Sequence, residues 1–178
     1  MAHQHLIADL SHLSSEPLKL AYLDHSPPSD VTEKGALLLI HGFPQASYQF
    51  RHAVPCLAAQ GFRCIVPDYR GAGASSKPAD DFRKSTMAAD MVALLDYLSL
   101  EEPVHVVGHD IGGMIAYALA ARWPARVKSV IWGKSFKWSI LYCLPKGGRC
   151  SRKAFSPATP SRAGIERSEA LQATCRYR

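Results

Sequence analysis

Several absences narrow the 178-residue sequence before any motif is read. No run of about 18 apolar residues occurs, so no membrane-spanning helix is expected. The N-terminal stretch Met1-Ala-His-Gln-His-Leu-Ile-Ala-Asp9 has no basic segment followed by a long apolar one, which argues against a secretory leader. The five cysteines (Cys56, Cys64, Cys143, Cys150 and Cys175) form no Cys-x-x-Cys pair. A zinc site is therefore not expected, and reduced thiols in a cytoplasmic protein are. There are no internal repeats. No histidine follows His109 and no aspartate follows Asp110.

The net charge of +6 is unevenly spread. Residues 1–132 carry 11 Lys and Arg against 13 Asp and Glu, whereas residues 133–178 carry 10 against only Glu166 and Glu169. The basic character belongs to the tail. Such asymmetry can mark an arm that binds an acidic partner, or sequence never selected as part of a fold.

What is present in the first 132 residues is an alternation of strands and helices. Pro17–Leu23 reads as an early strand with two-residue alternation. Ala36–Ile40, Phe62–Val66 and Pro103–Val107 are short continuous apolar runs, the pattern of strands buried on both faces. A helix is expected from about Tyr48 to Ala59, with Gly61 as its stop. A second, capped by Ser85 or Thr86, runs to about Leu100 and places Met87, Met91, Leu94, Leu95 and Leu98 on one face. A third, Ile111 to Trp123, is apolar almost all round and should be central. Arg126–Trp132 begins another strand. This order predicts an α/β fold, a mostly parallel sheet with helices on both faces. From Gly133 onward Pro, Gly, Ser, Arg and Lys dominate, and a weakly ordered basic tail over 133–178 is expected. Gly133-Lys134-Ser135 can be encoded with the intron donor GTAAGT, so read-through or a frameshift would explain the change of composition there.

Three motifs carry chemistry. Gly108-His109-Asp110-Ile111-Gly112-Gly113 joins an expected strand to an expected helix, with small residues on both sides of a carboxylate. Alone, such a turn is more often a strand-to-helix connection whose Asp caps the helix. His41-Gly42-Phe43-Pro44 follows the Ala36–Ile40 strand directly. Asp68-Tyr-Arg-Gly-Ala-Gly-Ala-Ser-Ser-Lys-Pro78 follows Phe62–Val66. It lacks the Gly-x-Gly-x-x-Gly spacing and the Lys-Ser/Thr ending of phosphate loops, so it reads as a structural loop held by Asp68 and Arg70.

In this order and spacing, over roughly residues 17–132, the three motifs resemble those of α/β-hydrolases of the soluble epoxide hydrolase branch, with haloalkane and haloacetate dehalogenases as relatives. The resemblance implies that Asp110 is a nucleophile in an elbow turn, opening an epoxide through an ester. It implies an oxyanion hole from the backbone N–H groups of Phe43 and Ile111, with His41, Gly42, Pro44, Gly108, Gly112 and Gly113 in support. Dehalogenases place side-chain donors to the leaving group at positions matched here by Phe43, Ile111 and Met114, none of which is a donor. An epoxide or related small electrophile is thus favoured over a halide. The family's base His, its orienting acid and its helical cap have no counterpart after Asp110, so the resemblance covers a truncated hydrolase whose turnover is expected to fail. No metal or organic cofactor is implied. Lys and Arg interleave with Phe136, Trp138, Tyr142 and Phe155 in the tail, but cationic composition is a weak warrant for binding, and nucleic acid is not expected as a partner.

Overall fold

A computed structural model of the chain describes residues 5–13, 17–79, 81–134 and 137–141. Among these residues seven strands form one sheet: β1 (Leu6–Asp9), β2 (Lys19–His25), β3 (Gly35–Ile40), β4 (Phe62–Pro67), β5 (Val104–His109), β6 (Val127–Lys134) and β7 (Lys137–Leu141). Their spatial order is β1-β2-β4-β3-β5-β6-β7. The four central strands β4, β3, β5 and β6 run parallel, as their apolar runs predict. β1, β2 and β7 join antiparallel at the flanks.

Among the described residues three α-helices cover the sheet: α1 (Ala53–Ala59), α2 (Lys84–Tyr97) and α3 (Ile111–Arg122). Met87, Met91, Leu94 and Leu95 of α2 and Ile115 and Leu119 of α3 pack with Leu38, Ile40, Ile65, Val104, Val106 and Val130 in the main core. Each such side chain, fully buried, contributes about 1.5–3 kcal/mol by removal from water. The opposite face holds a smaller cluster, in which Leu23, Leu37, Leu39, Cys64 and Val66 meet Val54, Phe50 and Leu57. Helices thus lie on both faces. Among the described residues no helix is long and apolar enough to cross a membrane.

Several expectations need correction. The helix foreseen from Tyr48 is a 3-10 turn at Ser47–Phe50 followed by the short α1. Pro55 explains the break, because it offers no N–H and its ring would collide with the carbonyl of Arg51 in a continuous helix. α2 begins at Lys84 without a side-chain cap, and the Thr86 hydroxyl instead donates to Asp81 Oδ1 at 2.9 Å. β1 carries no periodic signal in the sequence. β6 continues through Gly133 to Lys134, and β7 occupies its outer edge. The expectation of a weakly ordered tail falls mainly on residues 142–178, which lie outside the described residues. Cys64 is a buried free thiol, its pKa pushed up to about 11 by burial. Cys56 is disulfide-bonded, contrary to the expectation of reduced thiols.

Candidate active site

The parallel strands β3, β4 and β5 each release a loop at their C-terminal ends, and these three loops build the site. Asp110 stands alone between β5 and α3, with φ 52° and ψ −115°. A non-glycine residue in that region is uncommon and costs about 1–3 kcal/mol, held only where surrounding contacts over-determine it. Here they do. Asp110 N–H donates to Gly133 O at 3.0 Å, and Asp110 O accepts from Gly113 N–H at 3.0 Å and Met114 N–H at 3.3 Å.

The small residues around Asp110 are required by space. A Cβ on Gly108 would lie 2.6 Å from the carbonyl carbon of Gly112 and 2.7 Å from Gly113 Cα. One on Gly112 would run into the carbonyl oxygens of Ile40 and His41, and one on Gly113 into the Trp132 indole. Strand, helix and the preceding loop thus approach at backbone distance, which only glycine permits.

The Asp110 carboxylate does not cap α3. Its Oδ2 accepts instead from Phe43 N–H across the site, at 3.2 Å. Oδ1 carries no hydrogen bond among the described residues. The ring of Phe43 is 71% exposed, so its backbone rather than its side chain faces inward. Gly42 makes this approach possible, since a Cβ there would stand 2.6 Å from His109 Nδ1 and 2.9 Å from Asp110 Cβ. Pro44 follows through a cis peptide bond. Gly42 N–H donates to Gln49 Oε1 at 3.0 Å, and Gly42 O accepts from Gln45 N–H at 2.9 Å and from the His41 ring at 3.0 Å. Ile111 is the first residue of α3, and its N–H is among the donors at a helix start that have no partner within the helix.

His41 is fully buried and stacked on Tyr69, with ring centroids 4.2 Å apart. Burial pushes its pKa down, opposed by the bond to Gly42 and by the charge of Asp68. Burial, then the negative charges of Asp110 and Asp68, push the Tyr69 phenol up. Neither Tyr69 nor Gln49 stands out in the sequence, since each acts through a long-range contact.

The third loop is an anchor. Asp68 Oδ1 accepts from Ser47 N–H at 2.6 Å and Oδ2 from Ala74 N–H at 2.9 Å. His5 Nε2, bonded to Ser47 Oγ at 2.9 Å, lies 3.6 Å from Asp68 Oδ2, so this histidine has a structural contact that its terminal position did not foretell. Arg70 forms a two-point ion pair with Asp90 of α2, both bonds 2.6 Å, in a nearly solvent-free setting. Burial raises the Asp90 pKa, and Arg70 opposes it.

Three of the described histidines lie on the strands and loops around the site. His41 spends its Nδ1 on Gly42, His105 pairs with Ser129 Oγ at 2.7 Å, and the buried Nδ1 of His109 has no hydrogen-bond partner. Among the described residues no three His, Cys, Asp or Glu side chains gather as a metal site.

Residues 35–138 match the alpha/beta hydrolase fold family. The soluble epoxide hydrolase of Corynebacterium sp. (strain C12) is 46% identical over 84 residues, which are 47% of this chain and 29% of that protein. The epoxide hydrolase of Caballeronia sordidicola is 42% identical over 105 residues, 56% of this chain and 32% of that one. The cis-3-alkyl-4-alkyloxetan-2-one decarboxylase of Shewanella oneidensis is 37% identical over 122 residues, 67% and 36% respectively. A solved structure of a probable hydrolytic enzyme from Pseudomonas aeruginosa PAO1 superposes with a TM-score of 0.68 at 32% identity, over 74% of this chain and 41% of that chain. The epoxide hydrolase CorEH gives 0.62 at 33% identity, over 72% and 41%. The chain spans about a third of the length of the curated relatives it matches.

Proposed function

Because the chain belongs to the alpha/beta hydrolase fold family, we propose that Asp110 is its nucleophile, in epoxide hydrolase-like chemistry on a small strained electrophile. One observation carries the reading: the carboxylate, held at positive φ between strand and helix, takes the Phe43 N–H on Oδ2 and leaves Oδ1 unbonded. Oδ1 attacks a ring carbon and the C–O bond breaks. The electron pair leaves on the ring oxygen, which takes a proton from solvent water and becomes a hydroxyl, leaving hydroxide in solution. The product is an ester on Asp110. In the second step water adds to the Asp110 carbonyl carbon, and negative charge gathers on the oxygen that Phe43 N–H already faces. Ile111 N–H is the second donor in this reading.

Within these 178 residues no His follows His109 and no Asp follows Asp110, the region from which the family resemblance draws the base and its orienting acid. Loss of a base and its orienting acid costs several orders of magnitude in rate. In the 178-residue chain assayed by itself, formation of the ester is expected to outpace its decay.

A dehalogenase would use the same ester. Phe43, Ile111 and Met114 offer no side-chain donor to a departing halide, and that favours a strained ring. Two relatives are named for epoxides and a third for a four-membered cyclic ester, which points to strained C–O bonds as the shared substrate class. The test is intact-mass kinetics of the chain with 1,2-epoxybutane or 1-bromobutane, beside Asp110→Asn. Faster adduct formation with the epoxide, lost in the variant, is expected. Preference for the bromide would favour the dehalogenase reading, and adducts undiminished in Asp110→Asn would overturn both.

A further inference from the structure

The peptide unit between Gly42 and Phe43 has one end at Asp110 and the other at His41. Its N–H points to Asp110 Oδ2 at 3.2 Å, and its carbonyl oxygen lies 3.0 Å from His41 Nδ1. A peptide unit is planar, so fixing the direction of its C=O fixes that of its N–H. A donor on the carbonyl also polarises the amide and strengthens the N–H as a donor in turn.

The tautomer of His41 follows from its partners. Gly42 O can only accept, so Nδ1 must carry the proton. Nε2 is buried without a hydrogen-bond partner and stands 3.8 Å from Asp68 Oδ1, beyond hydrogen-bond reach. A charged ring would place an unsatisfied N–H there, and burial disfavours the charge. The stack on Tyr69 holds the ring plane, and its complete burial prevents exchange of the Nδ1 bond for one to solvent. Gln45 N–H shares Gly42 O, and Gln49 holds the Gly42 N–H, so His41 is one of three groups fixing this segment and the one whose donor is a side chain.

We infer that His41 is a positioning residue: its neutral, Nδ1-protonated ring holds the Gly42 carbonyl so that the Phe43 N–H stays aimed at Asp110. This rests on the ester chemistry proposed above. The contribution falls on the second step, where charge develops on the oxygen facing Phe43. The first step needs only that Oδ1 be free.

Three variants separate this from a packing role. His41→Phe keeps an aromatic ring against Tyr69 and removes the donor. His41→Asn returns an N–H near the position of Nδ1, and His41→Gln places one nearer Nε2. With 1,2-epoxybutane and intact mass as the readout, decay of the ester is expected to slow about tenfold in His41→Phe, less than the 10²–10³ lost when a direct donor is removed. Ester formation should change little, and decay should recover in Asn but not in Gln. Equal decay in all three variants, or parallel loss of formation and decay, would overturn the inference. An independent readout uses ¹⁵N NMR of the full unreacted chain. The His41 ring should show the Nδ1–H tautomer at neutral pH, and the Phe43 amide proton should shift in His41→Phe and return in His41→Asn. An Nε2–H or doubly protonated ring would sink the proposal even if no ester ever forms. A chain that shows the expected tautomer and amide shifts but forms no ester would instead refute the nucleophile reading.

Discussion

Asp68 and Asp110 follow the parallel strands β4 and β5, which flank β3 on its two sides. Each carboxylate takes a backbone N–H from a loop. Asp68 is fully buried with both oxygens engaged, by Ser47 and Ala74, and a Cβ on Gly73 would collide with it. Asp110 is half-buried at positive φ, has one oxygen engaged by Phe43, and keeps the other open. Identical side chains at equivalent strand ends are thus held in opposite states. A saturated carboxylate ties loops together, whereas one with an oxygen to spare and a fixed direction can react.

Variants can break this contrast, and urea unfolding followed by circular dichroism measures each on one scale. Arg70→Ala should be the most damaging, costing about 3–5 kcal/mol, because it strands the buried Asp90 charge without its partner. Asp68→Asn should cost about 1.5–3 kcal/mol, since one oxygen that accepts an N–H becomes a donor facing a donor. Acidification comes next. The His41 pKa is lowered in the folded chain, so the unfolded chain takes up that proton first. This part of the stability is complete above the ordinary histidine pKa of about 6.5 and is lost as pH falls below it, by at most about 1.4 kcal/mol per pH unit. His105, lowered by burial and then by Lys128, adds in the same direction. A flattened slope in His41→Asn would assign the effect. Asp110→Asn should change stability least, within about 0.5 kcal/mol, because asparagine tolerates positive φ and its side-chain oxygen can still accept from Phe43 N–H. A large loss there would erase the contrast.

Much of this is legible from local pattern. The apolar runs of β3, β4 and β5 and the periodic face of α2 mark themselves by spacing. The elbow and the His41–Pro44 loop do so by small residues at fixed offsets. What escapes is set by contacts distant in sequence. Asp90 is a polar residue within a helix, and nothing nearby signals that Arg70 meets it in the core. Tyr69 matters through its stack on His41, and His5 through Ser47. β1 has four residues with only Ala8 buried, too short for a periodic signal. The proline break before α1 was readable at Pro55 and was masked by the apolar spacing around it.

The central claim is that the reactive carboxylate is Asp110 and not its saturated neighbour. The most direct measurement is proteolytic peptide mapping by mass spectrometry after the chain has been incubated with 1,2-epoxybutane near neutral pH. The account predicts a hydroxylamine-labile ester on Asp110, absent in Asp110→Asn and present in the folded fraction of Asp68→Asn. An ester on Asp68, or alkylation confined to cysteine with Asp110 unmodified, would contradict it.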